Sequence, residues 1–163
     1  MVEELTLDKA VDFAVETEKL GEALYRRMAH RFKDDLELND LFSKLAEDEK
    51  YHAQRFSKLR EVAASQGPLS YEQQQYLRAV SISDIFSQEN SPGKNVEEIT
   101  SREDALTHAF NLEKNTLQYY QAMKELIDHE LIDEMIAEEK SHLTQVAKYM
   151  VTGAKMRGLG DKF

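Results

Sequence analysis

Apolar residues recur at three- and four-residue intervals along four long stretches of the chain, the spacing that gathers them on one face of an α-helix. The first stripe opens after Asp8, the expected N-cap, and follows Val11, Ala14, Val15, Tyr25, Met28 and Phe32. "KDDLE" turns the chain into a second stripe on Leu38, Leu41, Leu45, Phe56, Leu59 and Ala63, which stops at Gly67-Pro68. Thr100-Ser101-Arg102-Glu103 reads as a capping box with Thr100 as the cap. It starts a third stripe on Ala105, Ala109, Leu117, Tyr120, Met123 and Ile127. A turn at Asp128-His129 leads to the fourth, on Ile132, Met135, Val146 and Tyr149.

Between the second and third stripes lie about 33 residues, Pro68 to Thr100. They hold two helix-like pieces, "YEQQQYLRAV" and "ISDIFSQE", and a break at "NSPGKN". Two short-looped hairpins joined by one long crossover predict an all-α, ferritin-like four-helix bundle over residues 1–152, leaving 153–163 as a flexible tail. The hairpins also read as copies. A shift of 95 lays Ala10, Ala14, Glu18, Lys19, Tyr25 and Met28 on Ala105, Ala109, Glu113, Lys114, Tyr120 and Met123. A shift of 90 lays Glu49-Lys50-x-His52 on Glu139-Lys140-x-His142, so an internal duplication is expected.

Each apolar stripe has polar interruptions. Glu18 falls inside the first, Glu49 and His52 inside the second, Glu113 inside the third, and Glu139 and His142 inside the fourth. About 0.6 Glu-x-x-His pairs are expected by chance in a chain of this composition, against two seen, so the spacing alone decides little. Their order on four core stripes carries the weight. Four carboxylates packed into one core repel and resist ionisation. Two divalent cations neutralise them, with one terminal Glu and one His per ion and two Glu bridging. Oxygen-rich ligands with some imidazole suit iron or manganese, with zinc as a substitute.

Composition narrows the rest. The net charge of −10 argues against a nucleic-acid partner. The absence of cysteine excludes disulfides, thiolate zinc sites and rubredoxin-type iron from these residues, and fits a cytoplasmic location. No apolar run approaches the roughly 20 residues of a membrane helix, and "MVEELTLDKA" does not read as a secretion signal.

Glu18…Tyr25, Glu49-x-x-His52, Glu113…Tyr120 and Glu139-x-x-His142 resemble the ferritin-like di-iron carboxylate superfamily, in its rubrerythrin-like branch. The resemblance covers residues 8 to about 150. It implies two iron ions held by Glu18, Glu49, His52, Glu113, Glu139 and His142, with Tyr25 and Tyr120 hydrogen-bonding to ligand carboxylates. It further implies reduction of peroxide or dioxygen, with electrons from a separate donor such as a rubredoxin-like protein. The alternative is a ferroxidase or iron-storage subunit. Two departures stand out. Thr116 occupies the position where rubrerythrins carry a second helix-three Glu, which puts a carboxylate-switch cycle in doubt. Lys50 stands where bacterioferritin has a haem-binding Met, so no haem is expected.

Three further expectations concern the surface. His30, His108 and His129 have no Glu at ligand spacing and are expected there, with Lys50 and Lys140. In the Glu138/Glu139 doublet only Glu139 keeps the i, i+3 relation to His142. Apolar crossover residues (Leu69, Tyr71, Tyr76, Leu77, Ile82, Ile85, Phe86) suit either a homo-oligomer interface or a cover over the bundle.

Overall fold

The computed structural model describes residues 4–81 and 96–160, with side chains described through residue 80 and from 96 to 152. The described elements are helices: α1 (Leu7–Arg31), α2 (Leu36–Ser57), α3 (Arg60–Ser65), α4 (Tyr71–Ser81), a 3-10 turn at Val96–Glu98, α5 (Arg102–Lys124) and α6 (Glu130–Gly160). The 25 residues of α1 make a rod about 38 Å long.

Two apolar clusters show how the rods run. One gathers the start of α1 (Ala10, Val11, Ala14), the end of α2 (Ala53, Phe56), the end of α5 (Leu117, Tyr120, Met123) and the start of α6 (Ile132, Met135). The other gathers the end of α1 (Leu24, Tyr25, Met28), the start of α2 (Leu38, Phe42, Leu45), the start of α5 (Ala105, Ala109) and Val146 of α6. Helices α1 and α6 therefore run one way and α2 and α5 the other. A chain leaving α2 at one end must cross the length of the bundle to begin α5, which is the ferritin-like connectivity. Leu69 and Leu77 anchor the start of that crossover in the first cluster, and Val96 and Ile99 anchor its end in the second. Leu69 and Leu77 thus cover the bundle, whereas Tyr71 and Tyr76 stay exposed. "ISDIFSQE" and "NSPGKN", with Ile82, Ile85 and Phe86, lie outside the described residues.

Polar ties lock the two hairpins together. The Arg102 guanidinium at the start of α5 donates to Asp35 (2.6 Å) and Glu37 (2.7 Å), both at the α1–α2 turn. Asp35 also caps α2 by accepting from the Leu38 amide at 3.1 Å. At the other end the Tyr119 hydroxyl donates to the Ala10 carbonyl at 2.8 Å.

Four boundaries differ from the sequence expectation. Thr6, not Asp8, is the N-cap of α1, and Asp8 sits in the first turn, where the helix dipole favours a carboxylate. Ser101, not Thr100, caps α5; its extended backbone lets its Oγ accept from the Asp104 amide at 3.0 Å. The second helix breaks after Ser57, because the Lys58 and Leu59 amides turn back to Arg55 and Phe56 in three-residue steps before α3 resumes. Finally, α6 continues to Gly160 through positions expected in the tail, since extending a formed helix needs no new nucleus.

Candidate metal centre

The two apolar clusters are separated by a polar layer halfway along the bundle. It contains Glu18 of α1, Glu49 and His52 of α2, Glu113 of α5, and Glu139 and His142 of α6, each at most 4% exposed. All six residues expected from sequence thus come together. Ligand atoms of Glu49, His52, Glu139 and His142 lie within 4.8 Å of one another. Glu18 and Glu113 flank that group. Glu18 Oε2 is 3.4 Å from His52 Nδ1, and Glu113 Oε2 is 3.4 Å from His142 Nδ1. Glu139 reaches both histidines, with Oε1 3.0 Å from His52 Nδ1 and Oε2 3.8 Å from His142 Nδ1. The imidazoles stack with centroids 5.2 Å apart, so their Nδ1 atoms enter the layer side by side.

Inward-facing atoms of this layer lack hydrogen-bond partners. Glu18 Oε2, Glu113 Oε2, both oxygens of Glu139 and both histidine Nδ1 atoms are buried without a well-directed one, although Glu139 Oε1 and His52 Nδ1 approach to 3.0 Å. Buried polar atoms without partners are rare in native proteins, because each forfeits the solvation it had in water. Six of them converging on one small volume is the arrangement a cation would satisfy.

The outward-facing atoms, in contrast, are held. The Tyr25 hydroxyl of α1 donates to Glu113 on α5, and that of Tyr120 on α5 donates to Glu18 on α1. Tyr25 stacks on Phe42 at 5.9 Å, and Tyr120 packs against Phe56 at 4.6 Å, which fixes each ring. His52 Nε2–H donates to Glu138 Oε2 at 2.6 Å, and His142 Nε2–H to Asp48 Oδ2 at 3.2 Å. Such bonds set the tautomer and aim Nδ1 inward. Arg55 secures Glu138 by donating to its Oε1 at 2.7 Å, binds Glu134 as well, and lies 5.3 Å from the Tyr51 ring centre.

Asp48 and Glu138 have no assigned role in the sequence reading, where the Glu138/Glu139 doublet is an ambiguity. Yet the signal is there: the shift of 90 that superposes the ligands also lays Asp48 on Glu138. His30 is exposed, as expected. His108 and His129 are half-buried rather than on the surface, and His129 Nδ1 accepts from the Leu131 amide at 3.1 Å. Lys50 and Lys140 are exposed.

Electrostatics shows what the metal-free layer must do. Burial, then the neighbouring Glu18 carboxylate, pushes Glu49 well above the usual carboxylate range. Burial, then Glu113 and Glu18, does the same to Glu139. Burial also opposes charge on Glu113, but the His142 imidazole and the Tyr25 hydroxyl hold it below its ordinary value. For both histidines burial works against the cation and the carboxylates overcome it. Glu139 and Glu18 raise His52 to about 11, while Asp48 and Glu113 raise His142 to about 10. Without a cation, protons must neutralise this layer.

The family model for rubrerythrin matches residues 9–101, more than half of the chain. The chain belongs to the rubrerythrin family. No curated protein and no solved structure matches it. The matched span holds Glu18, Glu49 and His52; Glu113, Glu139 and His142 lie beyond it, and the geometry places them beside those three. In this rubrerythrin-family chain Thr116 is buried on α5 one turn after Glu113, so the layer gains no fifth carboxylate there. No helix among the described residues is long and apolar enough to cross a membrane.

Proposed function

We propose that this protein is a non-haem di-iron oxidoreductase that reduces peroxide or dioxygen, drawing electrons from a separate donor protein. The supporting observation is the set of six buried, partnerless ligand atoms facing one another, braced from outside by two tyrosines and two carboxylates. Glu18 and His52 would hold one ion and Glu113 and His142 the other, with Glu49 and Glu139 between them. Iron held there would supply the electrons for reduction of the oxidant, which the donor protein would replace.

The chain's own contribution is binding, orientation and exclusion of water. Glu138 and Asp48 hold the Nε2 protons of the histidines, so only Nδ1 faces inward. Tyr25 and Tyr120 occupy one oxygen each of Glu113 and Glu18, leaving Oε2 of each free. Phe42, Phe56 and the two apolar clusters close both ends of the layer. Thr116 offers no carboxylate that could exchange with a histidine at the ions.

Anaerobic Fe(II) loading followed by stopped-flow mixing with H₂O₂ and, separately, O₂ tests the proposal. Two Fe(II) per chain, oxidised faster than free Fe(II) and re-reduced by a donor, is the expected result. Oxidation of many Fe(II) per site into a mineral would instead establish ferroxidase chemistry. Oxidation no faster than that of free iron removes the redox reading.

A further inference from the structure

Gly21 lies in the middle of α1, one turn after Glu18, and is buried. Glycine weakens a helix interior relative to alanine, so an interior glycine calls for a reason. Backbone conformation is not the reason, since no described glycine has a positive φ. A Cβ added at Gly21 would lie 3.0 Å from Glu49 Oε2, 3.3 Å from its Cδ and 3.4 Å from its Cγ, and these are its three nearest neighbours outside its own helix. What a side chain at this position would meet first is the Glu49 carboxylate.

We propose that Gly21 is a positioning residue for the metal centre: its missing Cβ lets the Glu49 carboxylate sit against α1 within the polar layer, where it would help to hold the ions. This rests on the reading of the polar layer as a two-ion site. Glu49 enters from α2, and a methyl group at position 21 would push its oxygen by a few tenths of an ångström. A flexible side-chain end yields that much at little expense to the fold. A metal site does not, because ligand distances there are held to about 0.2 Å. The same methyl group thus favours the helix and disfavours the ions. The shift of 95 that relates α1 to α5 lays Gly21 on Thr116, so the two copies differ at this point and the room for Glu49 belongs to one copy alone.

The test uses Gly21→Ala, Glu49→Asp and the double variant, with Co(II) titration followed by visible absorption and with thermal melting of the metal-free proteins. Wild-type protein is titrated first. Failure to bind two Co(II) there overturns the two-ion reading itself, before the glycine is in question. With two bound, the expected result for Gly21→Ala is a metal-free melting temperature equal to or above wild type. It is accompanied by binding of at least one ion weaker by about 10-fold or more and by a changed Co(II) spectrum. The shorter Asp withdraws the carboxylate from position 21, so the double variant binds more tightly than the product of the two single effects predicts. Wild-type affinity and spectrum in Gly21→Ala overturn the proposal. So does a melting temperature that falls, or a Gly21→Ala protein that fails to fold, because either outcome makes the glycine a packing requirement of the helices. Strict additivity in the double variant overturns it as well.

Discussion

If the layer takes up two divalent ions as proposed, their entry at pH 7 displaces protons, and the structure sets how many. With His52 raised to about 11 and His142 to about 10, both imidazoles are doubly protonated at pH 7 in the metal-free protein. An ion needs the Nδ1 lone pair, so each ring gives up one proton, while Nε2–H stays with Glu138 or Asp48. Any protons that burial leaves on Glu49 and Glu139 are added. Glu113, held low, adds none. Between two and about four protons therefore leave per pair of ions, and two protons make the overall affinity climb about 100-fold per pH unit. Calorimetric titration with Mn(II) or Co(II) in buffers of different ionisation enthalpy counts them directly. Release of less than one proton per pair, or an affinity flat between pH 6 and 8, would refute the reasoning, because the histidines would then be neutral before binding. The same shifts fix the sign of metal-free stability. Both histidines are raised, so they stabilise the fold fully below their ordinary value near 6.5, and the contribution is lost as pH climbs toward 10 and 11. Glu49 and Glu139, raised as well, act in the same sense above the ordinary carboxylate range. The metal-free melting temperature accordingly falls from pH 7 to pH 10, and bound ions flatten that slope.

Other outcomes follow from the braces and the core. Glu138→Gln and Asp48→Asn each loosen the aim of one imidazole and weaken metal binding by about 10- to 100-fold, read by competition with a chromophoric chelator. Tyr25→Phe and Tyr120→Phe keep their rings packed but free one oxygen of Glu113 or Glu18. Affinity then drops on the order of 10-fold, and the metal-free protein loses about 1–3 kcal/mol in urea unfolding because a buried carboxylate oxygen is left without its donor. Phe56→Ala removes the ring under Tyr120 from a fully buried position and costs about 3–5 kcal/mol in urea unfolding of the metal-free chain.

The six inward residues were legible because a carboxylate at a core position of an apolar stripe contradicts its surroundings. Periodicity alone places Glu18, Glu49, Glu113 and Glu139 on buried faces. What periodicity leaves open is which residue of another helix a side chain meets. Tyr25 shares a face with Glu18, yet its hydroxyl reaches Glu113 across the bundle, and Tyr120 makes the mirrored choice. Asp48 and Glu138 hid for the same reason, since each lies beside a ligand of its own helix and serves the histidine of the opposite one. Boundaries were less legible. The capping box Thr100-x-x-Glu103 points to Thr100, and only the extended backbone of Ser101 shows that the cap falls one residue later.

That crossing has a mechanical consequence. The first hairpin carries Glu18, Glu49 and His52, but the groups that hold Glu18 and His52 outward, Tyr120 and Glu138, belong to the second. The second carries Glu113, Glu139 and His142, whose braces Tyr25 and Asp48 belong to the first. A hairpin on its own would present ligands without the contacts that aim them, in surroundings where water would solvate their charges. Metal affinity in this fold therefore reports how well the hairpins are docked. By linkage the ions must stabilise that docking by RT ln(1 + [M]/Kd), about 2.7 kcal/mol for a single site at a hundredfold excess over Kd. The same docking ties Arg102 to the α1–α2 turn and Tyr119 to Ala10, at the two ends of the bundle, well away from the ions. Those ties keep the hairpins together before any ion arrives, while protons on the histidines balance the carboxylates. Metal entry would then exchange protons for cations inside a bundle already assembled.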